Sequence, residues 1–255
     1  MGLASPSLSK SVITLVVALT MVACANQPQK PASPAEVQQV PNPDPLEGFN
    51  RKVHGFNMFF DHWLLKPAAK GYRWIAPQPV ELGVSNFFTN LGEVSNTLNS
   101  ALQWKWAEAG KSSGRFLLNS TLGLAGLFDV ARPMGLDKAD GEDFGQTLAA
   151  WGMGSGPYLV LPFLGPSTLR DTAARPVDYF SNPLNYVEDD AVRLGLNIAD
   201  IIRLRADLLE TEELASGDFY IFVRDAYLQR RNFLINDGIV EDDFGDDFDA
   251  EDFDF

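Results

Sequence analysis

The sequence predicts an all-α protein, on three observations. Apolar residues recur at helical spacing from Asp44 to about Gly238. Sustained period-two alternation, the mark of half-buried strands, is hard to find in that stretch. Prolines and glycines punctuate it often, so the helices should be many and short, with breaks at Pro67, Pro77, Pro79, Gly110, Pro133 and Gly135.

The chain begins with an address. Lys10 precedes an apolar stretch from Val12 to Ala23, interrupted by Thr14 and Thr20, in the pattern of a secretory signal. The stretch falls short of the roughly 20 apolar residues that span a bilayer. It ends Met21-Val22-Ala23-Cys24, which resembles a bacterial lipobox, with methionine where leucine is more usual. Residues 1–23 are therefore expected to be cleaved and Cys24 acylated. Two or more acyl chains, at about 0.8 kcal/mol per buried methylene, give stable anchoring. Ala25 follows, where aspartate would favour inner-membrane retention, so an outer-membrane destination is expected. Cys24 is the single cysteine, which excludes an intramolecular disulfide and a thiol-rich metal site.

Residues 24–43 form the next unit. Pro28, Pro31, Pro34, Pro41 and Pro43 stand among small and polar residues, the composition of an extended tether reaching about 60 Å when stretched. Residues 44–238 are the helical domain. Val84, Phe87, Phe88 and Leu91 fall at i, i+3, i+4 and i+7, and Leu98 and Leu102 continue the stripe. Asn86, Asn90, Asn96 and Asn99 supply its polar side. Ile198, Ile201, Ile202 and Leu208 make a second stripe, with Arg203, Arg205 and Asp207 facing elsewhere. Asp218 is a suitable N-cap for a helix carrying Phe219, Phe222, Val223, Ala226, Tyr227 and Leu234.

Composition restricts the partners. A net charge of −14 repels phosphate backbones, so no nucleic-acid partner is expected. It also disfavours purely electrostatic adhesion to anionic lipid, so membrane contact must come from acyl chains or buried apolar area. The chain carries 18 Phe and 5 Trp. Helices with wide apolar faces beside an acyl anchor suggest a protein lying in one leaflet. Trp63, Trp74, Trp104, Trp106 and Trp151 would then sit at headgroup depth; alternatively, they fill a water-soluble core.

Gly152-Met153-Gly154-Ser155-Gly156-Pro157 leads into the apolar run Tyr158 to Leu164, broken by Pro162 and closed by Gly165-Pro166. Glycines at alternate positions leave the backbone free, and the prolines stop a helix from forming. The segment reads as a flexible apolar hairpin. Exposing such a run to water is costly, which favours insertion into lipid or against a partner over an ordinary surface turn.

No constellation of residues assembles a catalytic centre, a metal site or a cofactor site. His54 and His62 are the only histidines and have no third ligand at metal spacing. Ser155 does not fit the esterase elbow, because residue 153 is methionine. The glycine series lacks the Gly-Lys-Ser/Thr of a phosphate loop. Residues 239–255 form an acidic tail with interleaved phenylalanines. From Glu241 onward it holds nine of the 34 acidic residues, so it should be disordered in isolation. It is either a solvated tail or a docking segment for a basic partner with an apolar groove.

Several segments, taken in order, resemble the MlaA/VacJ family of outer-membrane lipoproteins. They are Asp44-Pro45-Leu46-Glu47-Gly48-Phe49-Asn50-Arg51, Ser85-Asn86-Phe87-Phe88-Thr89-Asn90-Leu91, and Arg115-Phe116-Leu117-Leu118-Asn119-Ser120-Thr121-Leu122-Gly123. They continue with Glu142-Asp143-Phe144-Gly145-Gln146-Thr147-Leu148, Gly156 to Phe163 with Ser167 to Asp171, and Arg224 to Arg231. The resemblance implies a ring of amphipathic helices in the inner leaflet of the outer membrane, around a polar channel beside a trimeric porin. It implies removal of phospholipid misplaced in the outer leaflet and delivery to a soluble periplasmic carrier. Gly152, Gly154, Gly156, Pro157, Pro162 and Gly165 would match the family's gating hairpin. The phenylalanine-bearing tail matches no motif of the family. Two rival readings are a porin-associated structural lipoprotein that moves no lipid and a phospholipid hydrolase.

Overall fold

A computed structural model of the protein describes residues 44–213 and 215–239. Cys24, the tether and the acidic run from Glu241 lie outside them. The regular elements of the described residues are helical apart from one short hairpin.

Helix α1 (Glu47–Phe60) runs through a π-helical turn, Asp61–Leu65, directly into α2 (Lys66–Ile75). Pro67 was expected to break this helix. Instead the wider turn precedes it, and Lys66 N–H bonds back to the Asp61 carbonyl, so the missing proline N–H falls where the helical ladder is already rearranged. The break comes at Ala76, held extended by the proline that follows. Helix α3 (Gln78–Leu102) starts at Pro77 with Pro79 in its first turn, where an absent N–H costs nothing. A three-residue turn, 103–105, returns the chain as α4 (Trp106–Thr121). Side-chain hydrogen bonds Ser113–Thr97, Arg115–Glu93 and Asn90–Ser120 run antiparallel along the pair. Gly110, a second expected break, lies inside α4. Its propensity penalty of about 1 kcal/mol is outweighed by packing along α3.

Helix α5 (Phe144–Ala150) is N-capped by Asp143, whose carboxylate accepts from Gln146 N–H. Strands β1 (Tyr158–Leu161) and β2 (Gly165–Thr168) pair antiparallel, Tyr158 opposite Thr168 and Leu161 opposite Gly165. Thr168 caps α6 (Leu169–Ser181) and Asp189 caps α7 (Asp190–Asp207). After the single turn α8 (Leu209–Glu212) comes α9 (Phe219–Ile235), capped as expected by Asp218. Arg205 of α7 pairs with Asp61 of the π-turn, and Lys66 and Arg73 of α2 pair with Glu212 and Glu210 of α8.

The packing is inverted relative to a water-soluble protein. The apolar core is small: Tyr158, Val160 and Tyr220, joined by Val53, Tyr227 and Leu228. Most large buried side chains are polar or charged, among them Arg115, Glu93, Asn50 and Thr147. On α3 the asparagine side faces inward, with Asn90 and Asn99 buried, while Leu98 and Leu102 of the apolar stripe are exposed. Helix α7 repeats the arrangement: Ile198, Ile201 and Leu204, with Leu208 just beyond, are exposed, and the Arg203 and Arg205 side chains are largely enclosed. The five tryptophans are between 55% and 86% exposed, so they fill no core of this chain. No helix among the described residues is long and apolar enough to cross a membrane.

Candidate functional site

The enclosed polar groups form connected networks that tie the helices together. Arg115 of α4 donates to Glu93 of α3 at 2.7 Å and to Asp129 at 3.0 Å. Asp129 also accepts from Asn119, which in turn accepts from Ala131 N–H, so one helix face fixes the loop beyond it. Burial opposes ionisation of Asp129, yet the bonds from Arg115 and Asn119 outweigh it and hold its carboxyl below the usual range.

A second network centres on Arg231 of α9, which reaches Asp143 at 3.0 Å and Asp171 at 2.9 Å. Asp171 also accepts from Arg170 and from the Tyr227 hydroxyl. Desolvation would raise both aspartates, but the Arg231 guanidinium overrides it and lowers them. Gly145 permits this convergence: an added Cβ would lie 2.5 Å from Asp171 Oδ1 and 2.6 Å from Arg231 Nη2. Asp178 behaves oppositely. Burial, with Asp143 nearby, pushes its carboxyl up to about 6, although it accepts from Phe144 N–H.

A cleft of about 400 Å3 opens between α3, α4, the 139–142 loop and the end of α9. Its lining is polar, including Asn96, Ser100, Lys105, Lys111, Ser112, Glu142 and Gln146. Lys105 binds Glu142 at 3.0 Å and also pairs with Asp237. Asn96 accepts from Glu142 N–H, and Gln103 donates to the Glu142 carboxylate at 2.8 Å. Trp104 adopts a left-handed backbone, φ 65°, unusual for a bulky residue. The kink places the Trp104 and Trp106 rings outside, in edge contact at 5.9 Å, while Lys105 between them lines the cleft. The indole of Trp151 is tied to the same turn through the Leu102 carbonyl.

The hairpin glycines and prolines lie apart from these cleft-lining residues. Gly152, Gly154, Gly156 and Pro157 form the lead from α5 into β1, Pro162 opens the β-turn and Gly165 starts β2. Gly152, Gly156 and Gly165 have positive φ, and a Cβ on Gly156 would meet Leu169 at 3.0 Å, whereas Gly154 has neither constraint. The strands beyond are pinned. Asn50 of α1 donates to the Tyr158 carbonyl and accepts from Val160 N–H, a side chain acting as a strand edge. Asn57 does the same with the Leu161 carbonyl and Phe163 N–H. At the tip, the Phe163 ring packs on Phe56 and Phe60 at 5.1 Å from each. His54 lies against Phe219 and Tyr220, and His62 against Trp63.

Sequence reasoning did not single out Lys105, Lys111, Glu93 or Asn57. It quoted Asn50, Arg115, Asp143, Asp171 and Arg231 for resemblance, without roles. The available signal was charged residues spaced along helices whose opposite faces are apolar. That pattern marks an amphipathic helix but not which side is enclosed.

The MlaA lipoprotein family profile matches residues 42–234. The chain is 39% identical over 200 residues to the intermembrane phospholipid transport system lipoprotein MlaA of Escherichia coli, covering 76% of this chain and 79% of that protein. It is 32% identical over 242 residues to the lipoprotein of the same name from Haemophilus influenzae, covering 90% and 92%. A solved structure from work on the structural basis for maintenance of bacterial outer membrane lipid asymmetry is similar with a TM-score of 0.68. Its identity is 38%, over 76% of this chain and 100% of that one. With the family profile and these relatives spanning most of its length, the chain belongs to the MlaA lipoprotein family.

Proposed function

We propose that this protein withdraws phospholipid from the outer leaflet of the outer membrane and passes it, headgroup first, through its polar interior towards the periplasm. The carrying observation is the inverted polarity: enclosed Arg115, Glu93, Asn99 and Thr147 against exposed tryptophans and leucines. A headgroup crossing apolar medium is expensive unless hydrated or hydrogen-bonded, whereas acyl tails are at home there. Apolar outer faces with a polar route inside lower only the headgroup barrier. Relatives named for intermembrane phospholipid transport support the same reading.

The accompanying arrangement is a ring of helices in the inner leaflet, reached from the periplasmic side and anchored through acylated Cys24. Its partners are a trimeric porin and a soluble periplasmic lipid carrier, with the Gly152–Gly165 segment as gate. No covalent step is required, so the activity is non-enzymatic and needs no cofactor. The test is complementation in a strain lacking its own family member. Full-length protein should lower outer-leaflet phospholipid, and release of lysolipid or fatty acid by the purified protein would instead favour a hydrolase. Porin co-purification without any change in outer-leaflet lipid would favour a scaffold.

A further inference from the structure

Within the transport reading, on which this inference rests, the cleft carries more chemistry than a passive wall. Ser100 and Ser112 are 1% and 2% exposed, line the cleft, and have hydroxyls with no hydrogen-bond partner among the described residues. Lys111 is half-buried on the same wall, and its ammonium has no carboxylate partner among them. Hydroxyls that open on the cleft without a protein acceptor are free to donate to a ligand's oxygens. Ammonium and hydroxyl donors together suit a phosphodiester.

The rest of the lining has the opposite sign. Glu142 and Asp237 share Lys105, while Glu108 and Asp140 are exposed and have no cation partner among the described residues. Four carboxylates thus face two ammonium groups. An anionic headgroup gains at Lys111 but is repelled by this excess. A headgroup with its own ammonium gains at both ends. The exposed Trp104, Trp106 and Trp151 beside the cleft suit a position at headgroup depth.

We propose that the cleft is a headgroup-selecting site for zwitterionic phospholipid. Lys111, Ser100 and Ser112 take the phosphodiester, and Glu108 and Asp140 take the ammonium. Phosphatidylethanolamine is the headgroup class that fits.

The test uses the full acylated chain, purified in detergent, mixed with vesicles of equal phosphatidylethanolamine and phosphatidylglycerol, and repurified. Retained lipid is quantified by mass spectrometry. The expected result is an ethanolamine-to-glycerol ratio of about five, the effect of one part-exposed charge pair. E108Q/D140N alters two exposed side chains and should bring the ratio near one with lipid still retained. K111Q should lower retention of both lipids. Equal retention by the native protein, or an unchanged ratio in E108Q/D140N, overturns the headgroup assignment and leaves transport standing. Retention of no lipid overturns the transport reading and the selectivity together. Excess soluble glycerophosphoethanolamine should leave the lipid in place; displacement would show that the cleft serves a soluble phosphodiester instead.

Discussion

Arg115 and Glu93 face each other at 2.7 Å with both side chains almost wholly enclosed, one on each helix of the α3–α4 hairpin. Such a pair adds little net stability over a well-packed apolar pair, because both charges are desolvated. Breaking it is another matter. Arg115→Met strands Glu93 and leaves Asp129 without its guanidinium. It should cost about 3–5 kcal/mol, measured as the fall in detergent-solubilised thermal unfolding temperature. E93L/R115M should recover part of that loss; a double variant as unstable as the single would sink this account.

Gly145 sits where α5 meets the Arg231 network. Gly145→Ala places a methyl within 2.5 Å of Asp171 Oδ1, and the ion pairs must separate to admit it. A loss of about 1–3 kcal/mol is expected, in the range of an overpacked site. Gly154→Ala meets nothing within 4 Å and serves as the control.

Asn50 bridges α1 to the hairpin through both ends of its amide. Asn50→Ala leaves the Val160 N–H and the Tyr158 carbonyl without that partner, at about 1–3 kcal/mol each. Limited proteolysis should then cut the 158–168 segment faster than in the native protein.

The hairpin lead offers a cleaner test of gating. Gly156→Val is strained by its positive φ and by Leu169, so its effect mixes folding with motion. Gly154→Val has open space and an ordinary φ, so it stiffens the backbone alone. It should raise outer-leaflet phospholipid while leaving membrane anchoring intact. Unchanged lipid in that variant would remove the hairpin lead from the transport cycle.

Asp178 gives a pH signature of defined sign. Its folded value is raised to about 6 from 3.8, chiefly by burial, so the folded state holds the proton more tightly than the unfolded. Its contribution is complete below about 3.8 and is lost as pH rises through 6. Asp143 and Asp171 act oppositely: their contribution is present above the ordinary aspartate value and lost as pH falls further. Asp178→Asn keeps an acceptor for Phe144 N–H. It should stabilise the protein at pH 7 by about 1–2 kcal/mol after allowance for partial solvent screening. The gain over native should disappear near pH 4, by thermal unfolding at the two pH values.

Helix identity was legible because it is a local property: spacing, caps such as Asp218 and proline punctuation act within a few residues. The limits of that reasoning show at Pro67 and Gly110, where a π-turn and packing along α3 carried helices through expected breaks. The family was legible because its segments occur in order along one chain. Amphipathicity alone left open which helix face points inward, and the tryptophans could be read as core or surface. Tertiary structure decided that, turning Asn90, Asn99, Arg203 and Arg205 inward and Leu98, Ile201 and Trp74 outward. The cleft is also tertiary, since Ser100, Lys111, Asp140 and Asp237 come from four places in the chain. A sequence fixes how far apart side chains lie along one helix, but only packing decides which helices meet and which faces they enclose.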